Sequence, residues 1–337
     1  MRLILILYIF LTLTGIQNAF SQDAFPFFEE SDKIPKDLLN ERSVVFMNVK
    51  NLNWDEQARK IHQYFAETGV DAVAYYSLSD ILSGHDASNS FYNDITSRSI
   101  ENMIIVHQTD NAYSLYISDI PKGGTFFTES MLVYELKAKT LEELGKSLLT
   151  KTEQASLSRS NFLIIDVPET FKRTHVIKSR RLADYNADLR IDKLAVPKFE
   201  KNVMMTEDIG EANETLDSLM QTHYPFRYGL VNANISDEEM IAQGYLMVLR
   251  KLENNGESLK RMLGYNTSDD ETLYISVRKG PLSQVSKFTK GDKVHKYYIQ
   301  QLYTKDIYLG EEWDADTTWQ EALINHTENI KNALKDQ

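Results

Sequence analysis

The chain has 337 residues, no cysteine, and 37 Lys and Arg against 49 Asp and Glu. A net charge of −12 lacks the Lys and Arg excess on which phosphate-backbone binding runs, so nucleic acid is not an expected partner. The missing cysteines remove disulfides, thiol nucleophiles, Cys-ligated zinc and iron–sulfur clusters together.

Met1-Arg2 is followed by the apolar run Leu3–Ile16 and then by the small residues Ala19 and Ser21. A basic start, a short apolar stretch and small residues at a cleavage point describe a secretory signal. The run is shorter than the roughly 20 residues a spanning helix needs. We therefore expect residues 1–21 to be cleaved near Ser21, leaving an exported periplasmic or extracellular protein with no transmembrane segment. Residues 22–40 read as an irregular leader.

The composition, 42% hydrophobic and 26% charged, is that of an ordinary globular chain, and the length suggests two domains. From residue 41 strand and helix signals alternate. Ser43–Val49 is a short apolar strand. Asn53 and Glu56 have the spacing of a capping box, and Trp54, Ala58, Ile61 and Phe65 share one helix face. Gly69 stops that helix. Asp71–Ser77 is a strand, and Ser88–Ser99 a helix with Phe91 and Ile95 on one side. Met103–His107 and Tyr113–Ser118 form a hairpin around Thr109-Asp110-Asn111. Met131–Ala138 is a strand, Thr140 and Glu143 cap a helix, and Phe162–Val167 reads as a buried strand. Residues 41–168 thus form an N-terminal α/β domain.

Residues 169–205 read as a connecting region with some strand content, and residues 206–337 as a C-terminal α/β domain. In it, Phe226–Val231 is a strand and Ser236 with Glu239 caps a short helix. Tyr245–Leu252 is a strand, with a helix as the competing reading. Glu257–Leu263 is a short helix, and Leu273–Arg278, His295–Tyr303 and Ile307–Leu309 are strands. A final helix starts at Thr318 and carries Trp319, Leu323, Ile330 and Leu334 on one side.

Both halves therefore read β-α-β-α-β-β-β-α, which predicts an α/β or α+β fold of two similar small domains, each a mixed sheet with helices, and an internal duplication. This order is similar to that of envelope α/β domains at the amino end of TolB-type and curli-secretion-type proteins. The resemblance covers element order alone, and no function is carried over from it.

Chemical motifs are sparse. Gly145-Lys146-Ser147 matches the end of a phosphate-binding loop, but Thr140 stands where that loop needs its first glycine. His62, His85, His107, His175, His223, His295 and His326 show no metal-ligand spacing. The densest local group is His85-Asp86 with Ser83 and Ser88. His85, Asp86 and Ser88 are the weak catalytic candidates for a dispersed Ser/His/Asp or carboxylate site. The bland reading is that Asp86 and Ser88 cap the following helix.

Glu311, Glu312, Asp314 and Asp316 make an acidic loop whose Asp-x-Asp spacing lacks the glycine of a calcium site. Trp313, Asp314 and Asp316 are candidate ligand-binding residues for a glycan or peptide, with Trp319 read as a core anchor. Lys172, Arg173, Lys178, Arg180 and Arg181 form a basic patch in an acidic protein, either a docking surface or a stretch paired with Asp184, Asp188 and Asp192. Tyr75-Tyr76, Tyr113, Tyr116, Tyr297-Tyr298, Tyr303 and Tyr308 lie in strands, where a bare tyrosine face would bind partners.

No cofactor or metal is expected. The reading is an exported, non-enzymatic binding or assembly module of the bacterial cell envelope, with an envelope protein or glycan as partner. The alternative is a secreted hydrolase.

Overall fold

A computed structural model describes residues 25, 28–50, 54–128, 130–167, 169–171, 177–200, 208–268, 270–280 and 282–335. The expected signal segment, the Asn53 cap, Lys172, Arg173 and His175 lie outside the described residues.

The first half opens with β1 (Phe28–Glu30) and β2 (Arg42–Asn48), then α1 (Trp54–Thr68) and β3 (Asp71–Ser77). Trp54, Ala58, Ile61 and Phe65 of α1 are all buried, as their shared face requires. Burying such a side chain is worth about 1.5–3 kcal/mol. Gly69 has φ +98°, a conformation that costs a residue with a Cβ, and its N–H bonds the Phe65 carbonyl to end the helix. Next come α2 (Leu78–Ile81), α3 (His85–Ser97), β4 (Ile100–Gln108), β5 (Tyr113–Asp119), β6 (Met131–Ala138) and α4 (Leu141–Gln154). Thr140 caps α4 by accepting from Glu143 N–H at 3.1 Å, while the Glu143 carboxylate reaches the Lys139 N–H rather than closing a box. Gly145 is needed for packing, since a Cβ there would lie 2.2 Å from Tyr64 of α1.

Phe162–Val167 is not a buried strand. These residues have no regular structure, and the strand there is β7 (Glu169–Phe171). The first sheet has the order β1-β6-β5-β4-β2-β3-β7, with β4, β2, β3 and β7 mutually parallel, β4, β5 and β6 antiparallel, and β1 parallel to β6.

The second sheet begins inside the segment read as a connection. β8 (Arg181–Leu182) and β9 (Leu194–Pro197) precede α5 (Ile209–His223), β10 (Tyr228–Val231), α6 (Asp237–Ala242), β11 (Met247–Asn255) and α7 (Gly256–Met262). Then follow β12 (Leu273–Arg278), β13 (Gln284–Thr289), β14 (Lys293–Gln301), β15 (Ile307–Tyr308) and α8 (Trp319–Lys335). Tyr245–Leu252 is thus strand rather than helix, and the Ser236–Glu239 capping box is complete. The sheet order is β10-β9-β11-β14-β15-β8, and β12 and β13 form a separate two-stranded ribbon.

The fold is mixed α/β with two mixed sheets, and the two halves share one topology. β2, α1, β3, α3, β4, β5, β6 and α4 correspond in order and pairing to β9, α5, β10, α6, β11, β14, β15 and α8. Both sheets contain three corresponding parallel strands, β3-β2-β4 and β10-β9-β11, followed by two antiparallel ones, and a short strand, β1 or β8, lies parallel beyond the last. The β-α-β-α-β-β-β-α order holds for the second half, but other elements fill it: Phe226–Val231 is its second strand, because β9 and α5 precede it. Residues 256–292, carrying α7 and the ribbon, are inserted where the first half has only the tight turn between β4 and β5.

One face of each sheet is covered by two long helices. α1 and α4 pack on Val45, Met47, Ile104 and Val106, and α5 and α8 on Leu194, Val196, Leu249 and Ile299. The other face of the first sheet (Val44, Phe46, Ala74, Tyr76, Ile105), with α3, joins a core continued by Leu252, Leu259, Val294, Tyr298, Ile307 and Ala315. The halves therefore share a buried cluster.

Candidate functional site

The loop between α2 and α3 presses onto β11. Gly84 has φ +147°, and a Cβ there would lie 2.4 Å from the Lys251 carbonyl oxygen. Ser83 O accepts the Glu253 N–H at 2.7 Å. Asn254 Nδ2 donates to Asp80 Oδ1 and Ser83 Oγ, each at 2.8 Å. Burial raises the Asp80 carboxyl to about 6, against the opposing hydrogen bond from Asn254.

His85 and Asp86 sit at the start of α3. The helix begins at His85 with Gly84 at its N-cap and no side-chain cap bond, so the capping role read for Asp86 and Ser88 is not the one they have. Asp86 instead turns to the second half. Its Oδ1 lies 3.3 Å from Arg250 Nε, and its Oδ2 accepts from Tyr298 OH at 2.5 Å. Burial alone would raise Asp86, but Arg250, with His85 and Tyr298, outweighs it and holds the carboxyl at about 2. Arg250 continues to Asp237 Oδ1 at 2.6 Å and Gln300 Oε1 at 3.2 Å, and Lys305 closes on Asp237. His85 Nδ1 is 3.3 Å from Asp86 Oδ1, and no hydrogen bond joins the Ser88 side chain to either. The group is a charged seam between the halves.

A second cluster lies deeper. Lys296 of β14 places Nζ 2.6 Å from Asp314 Oδ1 and donates to the carbonyls of Tyr297 and Leu309. His326 of α8 donates from Nδ1 to Asp314 Oδ2 at 2.9 Å. All three side chains are fully buried. Burial would raise Asp314, but Lys296 and His326 hold it below the usual carboxylate range. Burial lowers His326, against the raising effect of Asp314, and its Nε2 has no hydrogen-bond partner among the described residues. Lysine, carboxylate and imidazole together resemble proton-transfer machinery, yet full enclosure denies a substrate contact with any of them.

The acidic loop scatters. Glu311 and Glu312 go to Lys279 at 2.6 and 3.4 Å, Asp314 goes inward, and Asp316 pairs its backbone with His295 and takes Asn325 Nδ2 on its side chain. No group of three or more His, Asp or Glu side chains is arranged to hold a metal among the described residues. Trp313 is buried edge-on to Tyr265, with Lys260 over its ring, so its face is not open for stacking. Trp319 is buried against Phe199 as expected.

Of the basic stretch, Lys178 is exposed. Arg180 forks onto Asp306 at 3.1 and 2.6 Å rather than onto Asp184, Asp188 or Asp192. Arg181 lies in β8 and donates to the Ile177 carbonyl at 3.2 Å.

Of the strand tyrosines, Tyr75, Tyr76, Tyr116, Tyr297, Tyr298 and Tyr308 are buried, Tyr113 is half-buried, and Tyr303, just past β14, is exposed, so they form no continuous bare face. The exposed apolar surface is largely aliphatic and, apart from the scattered Leu132, Ile191, Leu246 and Tyr303, gathers in two places. Phe162, Leu163, Ile165 and Val167 are 77, 95, 57 and 69% exposed. Ser160 and Asn161 fix the start of this segment by donating to Leu39 O, and the Ile165 carbonyl accepts from His62 Nε2 at 2.7 Å. The ribbon exposes Leu273, Ile275 and Val285, with Leu282 at its turn, while Tyr274 and Phe288 hold its other face to the core.

Arg250, Lys296 and Asn254 escape motif reading. Arg250 and Lys296 left one trace: each is a charge inside an apolar strand run, and a charge buried there must find a partner.

Comparison with known proteins returns no match: no family model, no curated protein and no solved structure is detectably similar to the chain.

Proposed function

We propose that this protein is an exported, non-enzymatic binding or assembly module of the bacterial cell envelope that docks through aliphatic surface. The observation that carries the reading is the exposure of Phe162, Leu163, Ile165 and Val167 within six residues. Monomeric proteins rarely leave such contiguous apolar runs bare, and those that do use them for partners. The N-terminal residues 1–21 support export by their composition. The shared topology of the halves supports an internal duplication as their origin. The hydrolase alternative loses its best local group, because the Asp86 carboxylate is engaged by Arg250 and Tyr298.

Cell fractionation with N-terminal sequencing tests the address: a chain starting near residue 22 in the envelope or medium is expected, and an intact cytoplasmic chain would sink it. Cross-linking in intact envelopes tests docking. Wild type is expected to give adducts that Leu163→Asp loses, and equal adducts from both would remove the docking role of the segment.

A further inference from the structure

The two sheets differ at one edge. In the first, β3 is covered by β7, which pairs in parallel through Ala74↔Glu169, Tyr75↔Thr170 and Tyr76↔Phe171. The equivalent strand of the second sheet is β10, and among the described residues no strand covers its outer side. Leu194 N–H bonds the Arg227 carbonyl and Lys198 N–H bonds the Val231 carbonyl, each at 3.0 Å. Residues 227 and 231 thus face β9. By the two-residue alternation of a strand, the N–H and C=O groups of Tyr228 and Leu230 point out of the sheet. Such a row is a template for another strand.

The chain also carries a strand without a sheet. Phe162–Val167 is apolar at five of its six positions and has no glycine or proline, which is the composition of a sheet strand. It directly precedes β7, the segment that covers the equivalent edge in the first half. In its own copy it forms no strand pairing and is anchored by the bonds of Ser160 and Asn161 to Leu39 and of Ile165 to His62.

We propose that copies of this chain associate head to tail, residues 162–167 of one copy adding in parallel to the open edge of β10 in the next. The pairing repeats between molecules what β7 does for β3 within one. Donor and acceptor are different surfaces, so the contact is heterologous and builds a ring or an open row. This inference rests on the docking reading above and names a second copy as the partner.

The test uses the purified protein. Light scattering across a concentration series is expected to show mass rising above one chain, and Leu163→Asp to weaken association by about tenfold or more, since a charge opposes strand pairing. Leu163 is 95% exposed, so the variant should fold, which circular dichroism verifies. The absence of cysteine makes a second readout clean. Leu163→Cys and Arg227→Cys proteins, mixed and treated with a short bis-maleimide, are expected to cross-link with each other and not with themselves, since parallel pairing sets the start of the segment beside the start of β10. A single-chain mass at every concentration would overturn the proposal. So would association untouched by Leu163→Asp, or Leu163→Cys cross-linking to itself as well as to the mixture. If self-association fails while Leu163→Asp still loses an envelope adduct, self-pairing falls and the docking reading stands. If that variant changes neither, both fall.

Discussion

The two halves have one topology and opposite chemistry at matching places. In the first half β5, the middle strand of the antiparallel trio, buries Leu115, Tyr116 and Ile117. Its counterpart β14 buries Lys296, which is paired with Asp314 and His326. The first half turns tightly between β4 and β5; the second places α7 and the ribbon there. The first covers its outer parallel strand; in the second no strand covers it among the described residues. Strand order is set by which backbones pair and which helices cover them, and it tolerates a charge, an insertion or a bare edge wherever local partners are supplied. The differences therefore lie in side chains, insertions and edges, and not in strand order.

The largest effect should come from the place where the halves differ most in polarity. Asp314→Ala leaves Lys296 and His326 buried without their carboxylate and is expected to cost about 3–5 kcal/mol in urea unfolding. A loss under about 1 kcal/mol would mean that the pair contributes no more than an exposed one. Gly145→Ala probes the first half in turn. Its Cβ would collide with Tyr64, so a loss of about 1–3 kcal/mol is expected, read by thermal melting with Lys146→Ala as control.

The seam should titrate from both sides. Asp86 is lowered to about 2 by Arg250, against the raising effect of burial, from an ordinary value of 3.8. Its contribution of about 2 kcal/mol is full above pH 4 and is lost as pH falls toward 2. Asp80 is raised to about 6, so it acts with the opposite sign, and stability declines as pH rises from 4 to 6. Unfolding across pH should give a shallower acid limb for Asp86→Asn and a flatter decline between pH 4 and 6 for Asp80→Asn. Unchanged curves would show that neither group titrates between folded and unfolded chains. The smallest effect is expected at Leu163→Asp, within about 0.5 kcal/mol of wild type, because the side chain has almost nothing to lose. A larger loss would mean that the segment packs in solution.

Elements whose burial is decided by their own pattern were legible. α1 and α8 show helical stripes, and β4 and β5 flank a four-residue turn. β9 was not, being four residues ended by Pro197, and neither was α5, although Asp208 caps it and Ala212, Leu216 and Met220 follow at helical spacing. Missing that pair displaced the second half by one unit. Phe162–Val167 misled in the other direction: an apolar run says what a segment prefers, whereas its exposure follows from the anchors at Leu39 and His62, far away in sequence. The candidate site was opaque for the same reason. Asp86 meets Arg250 and Asp80 meets Asn254 across about half the chain, and no spacing rule reaches that far.

The shared core has a consequence for synthesis. The face of the first sheet that carries Val44, Phe46 and Tyr76 is completed by residues as late as Trp313 and Ala315. A chain made from its amino end leaves that face incompletely covered until residues 313–315 have been made. Collapse of this core is therefore timed by the arrival of strands that come late in the chain.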